Sequence, residues 1–262
     1  MQPALSGWTD DAAVLAWGLL FGSFLNVVAY RVPRGISVIW PPSACPHCGG
    51  RLAPRDLVPL FSYLWLRGRC RRCRAPISPL YPLGEALTAL TFWLVWHRVG
   101  PTPELAVGWG LASLLVAATM ADLRDRLIPN RIVLAAAMFL GGCRLLTHPL
   151  PLEAYALGAA AGFGVLYALN GLSLLVYRQE GIGGGDMKLM AAVGLAVGWK
   201  TVLLALLIGS LLGGAVAILL LATGKAHRRQ YLPFGPMLAA GSLIAYLWGD
   251  ALIAWYLGWS IS

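Results

Sequence analysis

Charge is scarce in this chain. Only 12% of its 262 residues are Asp, Glu, Lys or Arg, and the acids number 11 in all. An ordinary soluble domain carries about twice that charged fraction. With 58% hydrophobic residues and a mean hydropathy of +0.70, the chain belongs in a bilayer and not in water. A basic stretch ahead of the first apolar run is also missing; Asp10 and Asp11 stand there instead. The N-terminus is therefore expected to lie outside, with the first helix retained and not cleaved as a signal peptide. Internal repeats and low-complexity tracts are absent as well.

The apolar residues fall in several runs, each near the roughly 20 residues that cross about 30 Å of hydrocarbon. The runs cover residues 12–30, 82–99, 104–121, 132–146, 153–177, 187–199, 201–223 and 234–257. Breakers such as Gly100-Pro101 and His148-Pro-Leu-Pro151 separate them as short turns. The run at 187–199 is short for a span. Lys225, Arg228 and Arg229 nevertheless fall on the cytoplasmic side only if it crosses, so eight spans are expected. The fold class is all-α: a polytopic membrane helix bundle of about eight transmembrane helices with a small cytoplasmic zinc-ribbon-like loop. Residues 1–30 would form the first transmembrane helix, 31–81 the basic four-cysteine loop, and 82–262 the helical core.

The net charge of +9 arises mainly between the apolar runs. Residues 31–81 hold nine arginines and one acid, Asp56, which marks a cytoplasmic segment attracted to anionic lipid headgroups. Membrane lipid is thus the expected partner of this charge, and nucleic acid is not. Glycine, at 31 residues, clusters with Ala and Ser inside the spans, as in Gly158-Ala-Ala-Ala-Gly162, where small residues let helices approach closely.

Cys45-Pro-His-Cys48 and Cys70-Arg-Arg-Cys73 are two C-x2-C knuckles 21 residues apart. That spacing suits a tetrahedral zinc ion held by four thiolates, a closed and structural site. Two disulfides or four unrelated thiols are the alternatives, and a reducing cytoplasmic loop disfavours the bridges. His47 could replace one cysteine, and Cys143, inside the fourth run, is a small buried apolar residue.

Among the few acids, Asp122 ends an apolar run in Met120-Ala-Asp-Leu-Arg-Asp-Arg, and Asp186 follows Gly181-Ile-Gly-Gly-Gly185. The topology places both at the cytoplasmic membrane face. Two carboxylates meeting in low-dielectric surroundings cannot both ionise easily, so one can act as base while the other, protonated, polarises a scissile carbonyl. Gly183 and Gly185 would let a substrate backbone come close. The alternatives are structural: Asp122 paired with Arg126, Asp186 paired with Lys188, or a proton relay in a transporter. Asp125 rivals Asp122, and Glu85 and Glu180 are weaker candidates. Neither H-E-x-x-H nor G-x-S-G is present, and the four histidines are scattered, so metalloprotease and serine-nucleophile chemistries fare worse.

Taken together, Gly22-Ser-Phe-Leu-Asn-Val-Val28 with Arg31 and Pro33, the paired knuckles, Pro82-Leu-Gly-Glu85, Asp122 with Ile128-Pro129, Gly183-Gly-Gly-Asp186-Met-Lys188 and Pro233-Phe-Gly-Pro-Met-Leu-Ala239 resemble the bacterial type IV prepilin peptidases, aspartic proteases of the GxGD class. The resemblance covers nearly the whole chain. It implies Asp122 and Asp186 as the catalytic pair, with Gly183, Gly185, Lys188 and Glu85 in substrate-binding or supporting roles. It further implies a multi-pass protein of the inner membrane that cuts prepilins and type II secretion pseudopilins after a glycine ending a short basic leader. Many members then methylate the new N-terminus with S-adenosylmethionine, and the four cysteines resemble those of the bifunctional members. Asn130 departs from the aspartate common after Ile-Pro in the family and is expected to cap the next helix. A proton-coupled transporter and a zinc-loop scaffold remain the competing readings.

Overall fold

The computed structural model describes residues 7–224 and 233–260. Lys225, Arg228 and Arg229, whose charge carries the parity of the crossings, lie outside the described residues. Among those described, regular structure is helical: α1 Trp8–Arg31, α2 Phe61–Trp65, α3 Leu80–Val99, α4 Glu104–Asp125, α5 Asn130–Leu146, α6 Leu152–Tyr177, α7 Gly184–Val197, α8 Trp199–Ala222 and α9 Gly235–Ser260. Strand pairing among them is limited to two isolated bridges in the cysteine loop.

The eight longer helices coincide with the eight apolar runs, and five segments are long and apolar enough to cross a membrane: Trp8–Arg34, Glu104–Asp125, Leu152–Tyr177, Trp199–Ala222 and Gly235–Tyr256. The other three fall short for visible reasons. α3 carries Glu85, His97 and Arg98, α5 has 17 residues, and α7 has 14. Fourteen residues make a rod of about 21 Å, less than the hydrocarbon thickness. The shortness of α7 is accommodated by burial: nine of its residues, from Asp186 to Val197, are hidden, and it packs against α5, α6, α8 and α9. Gly198, at φ 81°, turns the chain directly from α7 into α8.

The chain divides into two compact units, residues 1–120 and 121–262. In the first, α1 and α3 run antiparallel. A Cβ at Gly18 would overlap the backbone of Ala89, one at Gly22 would come within 2.8 Å of Glu85 Cα, and Asn26 Nδ2 donates to the Tyr81 carbonyl at 2.8 Å. The register is closed at the far end by His97 and Asp11, 2.9 Å apart. Val14, Phe92 and Ala112 form a core ringed by Phe21, Trp93, Trp96 and Trp109. Phe92 and Trp109 stack at 5.0 Å, and the Trp109 indole N–H donates to the Phe92 carbonyl.

In the second unit the same device recurs with more force. Gly158 of α6 and Gly194 of α7 face each other so closely that a Cβ on either would overlap the other's carbonyl, and Gly162 meets the Met190 carbonyl in the same way. On the next pair, Gly241 of α9 lies against Ala205 and Gly209 of α8. In lipid, where apolar side chains gain nothing by leaving their solvent, such close backbone contact is what makes helix pairs adhere. Arg144, buried on α5, donates from Nε to the Ala196 carbonyl at 2.7 Å and lies over the Tyr155 ring. It thereby satisfies one of the free carbonyls at the C-terminus of α7.

Candidate active site and metal centre

Asp122 sits three residues from the end of α4, and Asp186 is the third residue of α7. Both are buried, at 3% and 6% exposure, whereas Asp125 is half-buried and Glu180 exposed; Glu85, the remaining rival, is buried as well. They are also near neighbours: the charge of Asp122 bears on Asp186. Three local features set the positions of the two side chains. Arg126, in the left-handed region at φ 53°, stops α4 by returning its N–H to the Asp122 carbonyl. The chain then runs through Ile128, whose Cβ and carbonyl lie 3.0 and 3.3 Å from where a Cβ on Gly185 would stand, so α7 begins against the turn that follows α4. Finally, the Gly235 N–H at the start of α9 donates to Asp122 Oδ2 at 2.9 Å in a buried position.

The glycine-rich approach to Asp186 is ordered by side chains. Asn170 Oδ1 of α6 accepts the N–H groups of Gly181 and Ile182, and Ser173 Oγ donates to the Gln179 carbonyl. Gly183 precedes the first helical residue of α7, and its carbonyl accepts from Asp186 N–H at 3.1 Å. A carboxylate in the first turn of a helix faces unpaired N–H groups and the positive end of the helix dipole. The Lys188 amine donates to Asn130 Oδ1 at 3.0 Å and so ties α7 to α5. Asn130 is thus the first residue of α5 with its side chain turned to Lys188; Pro129 occupies the cap position, contrary to the expectation that Asn130 caps the helix. Glu85 lies in the first unit, buried, where its Oε2 accepts the Leu60 N–H at 2.8 Å.

Gly235, Asn170 and Ile128 were not singled out for roles in the sequence. A hint existed for each: a Phe-Gly-Pro opening an apolar helix, a lone amide within the apolar run of α6, and an Ile-Pro just past the first aspartate.

In the loop the two knuckles are built alike. Cys45 N–H donates to the Gly50 carbonyl as Cys70 N–H does to Ala75, and the carbonyls of Cys45 and Cys70 accept from Gly49 and Arg74. Gly49 and Arg74 occupy the same left-handed position, at φ 66° and 59°. All four sulfurs lie within 4.8 Å of one another, Cys45 and Cys73 Sγ being 3.8 Å apart, and the cysteines are free thiols. The edge of a tetrahedron with zinc–sulfur bonds of 2.3 Å is about 3.8 Å, so this cluster can hold a zinc-sized ion. His47 is exposed and outside it. Amides of Cys73 and Arg72 directed at Cys70 draw its thiol down to about 6. The Ala75 amide acts in the same sense on Cys73, yet burial and the neighbouring sulfurs push that thiol up to about 11. A dication among the four would relieve this mutual repulsion. Asp56, the loop's one acid, is held below the usual carboxylate range by Arg71, whose Nε lies 2.7 Å from its Oδ1.

Helices long and apolar enough to span a membrane, a buried aspartate pair at helix ends, and a four-cysteine loop define a polytopic membrane protein equipped for acid–base chemistry. Comparison with known proteins narrows the class. The model described as Type IV leader peptidase family matches residues 109–218, and that described as Bacterial Peptidase A24 N-terminal domain matches residues 16–99. The prepilin leader peptidase/N-methyltransferase of Aeromonas hydrophila is 39% identical, covering 95% of this chain and 94% of its own. The protein of that name from Bacillus subtilis is also 39% identical, covering 92% and 95%, and that from Pseudomonas aeruginosa 36%, covering 92% and 91%. The chain belongs to the type IV leader peptidase family. No solved structure matches it.

Proposed function

We propose that this protein removes the short leader from type IV prepilins and type II secretion pseudopilins at the cytoplasmic face of the inner membrane, cutting after glycine, and then methylates the new N-terminus. The observation that carries the peptidase reading is the burial of Asp122 and Asp186 within reach of each other's charge, with Asp122 oriented by the Gly235 amide at 2.9 Å. One carboxylate takes a proton from the attacking water, and the other, protonated, polarises the scissile carbonyl; the roles reverse as the amine leaves. Gly185 supports the site by letting α7 begin against Ile128, Gly183 accepts the Asp186 N–H just ahead of the helix, Lys188 keeps α7 against α5 and Glu85 holds the loop to α3.

In this reading residues 1–30 anchor the chain, 31–81 form the cytoplasmic zinc loop, and 82–262 form the protease core, with eight crossings in all. Zinc on Cys45, Cys48, Cys70 and Cys73 would hold the loop together and nothing more, because four thiolates leave no open coordination position. The methyl donor would be S-adenosylmethionine, taken up as a second substrate; the relatives' names and the four-cysteine loop support this half. A transporter would favour acids near the bilayer midplane, whereas Asp122 and Asp186 lie at helix ends.

Purified full-length protein in detergent is expected to cut a synthetic prepilin on the C-terminal side of its leader glycine. With S-adenosylmethionine added, one methyl group is expected on the released N-terminus, both products being read by mass spectrometry. Intact substrate after incubation with folded protein overturns the peptidase reading; a cut but unmethylated product overturns the transferase half. A separate expectation concerns the loop. Cys70→Ser should lower bound zinc from about one per chain to near zero by elemental analysis, with the helicity of the bundle unchanged by circular dichroism.

A further inference from the structure

The loop between α1 and α3 carries a group of side chains that neither the metal centre nor the catalytic pair uses. Along the single turn of α2, Phe61, Leu64 and Trp65 stand at successive positions of one face, and all are exposed, Leu64 and Trp65 at 72% and 70%. Phe61 and Trp65 stack on each other at 5.9 Å and do not pack inward. Trp65 and Leu66 then join Arg67, Arg71 and Arg74 in lining one open recess. Ile39 and Trp40, a few residues beyond the end of α1, are exposed in the same manner.

The position of α2 is fixed by a tether. Leu60, immediately before it, donates its N–H to Glu85 Oε2 at 2.8 Å, and Glu85 sits in the second turn of α3. Glu85 is level with Gly22 of α1, nine residues before the end of that helix at Arg31, which is about 13 Å along the axis. Side chains on a helix lean toward its N-terminus, so the Glu85 carboxylate reaches back toward the start of α3. Leu60 therefore lies between that depth and the end of α1. Because α1 is long and apolar enough to cross the bilayer, this is the depth of the headgroup and acyl boundary, where amphipathic segments bury an apolar face by about 5–10 Å.

From this placement we infer that α2 is an interfacial anchor: Phe61, Leu64 and Trp65 enter the boundary of the leaflet while Arg67, Arg71 and Arg74 receive the headgroups of anionic phospholipid. Aromatic and leucine side chains beside arginines have the composition favoured at that depth. The loop's charge, nine arginines against Asp56 alone, complements an anionic surface. Arg71 shares its charge with Asp56 at 2.7 Å, which leaves Arg67 and Arg74 as the stronger anion contacts. Anchoring would hold the zinc loop flat on the membrane instead of letting it swing on its two connections. The inference rests on the membrane placement of α1 and not on the peptidase reading.

The test uses the full-length protein reconstituted in phosphatidylglycerol or phosphatidylcholine vesicles containing a trace of photoactivatable phospholipid, with adducts located by mass spectrometry. Adducts are expected on residues 59–67, at a level comparable to the buried end of α1. They should exceed those on the exposed first knuckle, residues 46–51, and be about fivefold stronger in phosphatidylglycerol. Labelling of 59–67 no greater than that of 46–51, with α1 labelled, overturns the anchor in favour of a protein occupant of this face. Equal labelling in the two lipids overturns the headgroup role of the arginines. Prepilin cleavage by the same samples fails or succeeds independently of either result.

Discussion

Asp122→Asn and Asp186→Asn are each expected to lower prepilin cleavage by roughly 100- to 10,000-fold, the contribution of a positioned acid or base. Asparagine keeps the size of the side chain and the oxygen that accepts the Gly235 N–H at 2.9 Å, so the α4–α9 contact survives in the first variant. In the second, asparagine again keeps the size of the side chain, and the lost quantity is the transferable proton. Asp125→Asn, at the half-buried last residue of α4, should cleave within about twofold of wild type. The measurement is single-turnover cleavage in detergent, with thermal unfolding of each variant as the folding control. Cleavage that survives either of the first two changes removes that residue from catalysis and returns the transporter and scaffold readings to consideration.

The second large effect is structural. Gly194→Leu is expected to destabilise the second unit by more than the roughly 1–3 kcal/mol of ordinary overpacking. The new side chain would meet not a movable side chain but the Gly158 carbonyl and the Ala159 amide. Gly158→Leu should behave alike, because the opposing atoms are the carbonyl of Gly194 and the backbone of Gly198. Since α7 carries Asp186, both variants should lose cleavage along with thermal stability. Gly164→Leu supplies the contrast: it lies on the same helix as Gly158, but a Cβ there meets nothing within 4 Å, so stability should change by less than about 0.5 kcal/mol. If Gly164→Leu proved as damaging as Gly158→Leu, glycine in α6 would matter for something other than close approach to α7.

The glycines illustrate how much of this molecule was readable in one dimension. Gly158 and Gly162 stand four apart in an apolar run and announce a helix that another helix must touch. Their spacing does not say which helix, and the partners Gly194 and Met190 lie in a run that is short for a span. The short run itself was ambiguous for the same reason. The 14 residues of α7 make sense only once α5, α6, α8 and α9 surround it, because a helix buried by protein need not match the bilayer. Asn130 shows the opposite failure. Its position after Ile-Pro suggested a cap, yet the lysine 58 residues on competes for the side chain. Local preference yields wherever a tertiary partner offers a charged donor.

Properties that depend on short spacing and composition are legible along the chain. The bilayer environment follows from apolar runs of spanning length, the four-thiolate cluster from two C-x2-C knuckles, and the candidate acids from their scarcity. These are local quantities, because a helix must satisfy its own backbone in lipid and a knuckle forms within a few residues. The tertiary structure decided which acids meet. Asp122 and Asp186 are 64 residues apart in the chain, and burial at 3% and 6% set them apart from Asp125 and Glu180. It also supplied the Gly235 amide, 113 residues from the aspartate it holds. No pattern along the chain encodes such a contact, because it exists only where close packing of glycine-faced helices brings remote backbone within hydrogen-bond distance.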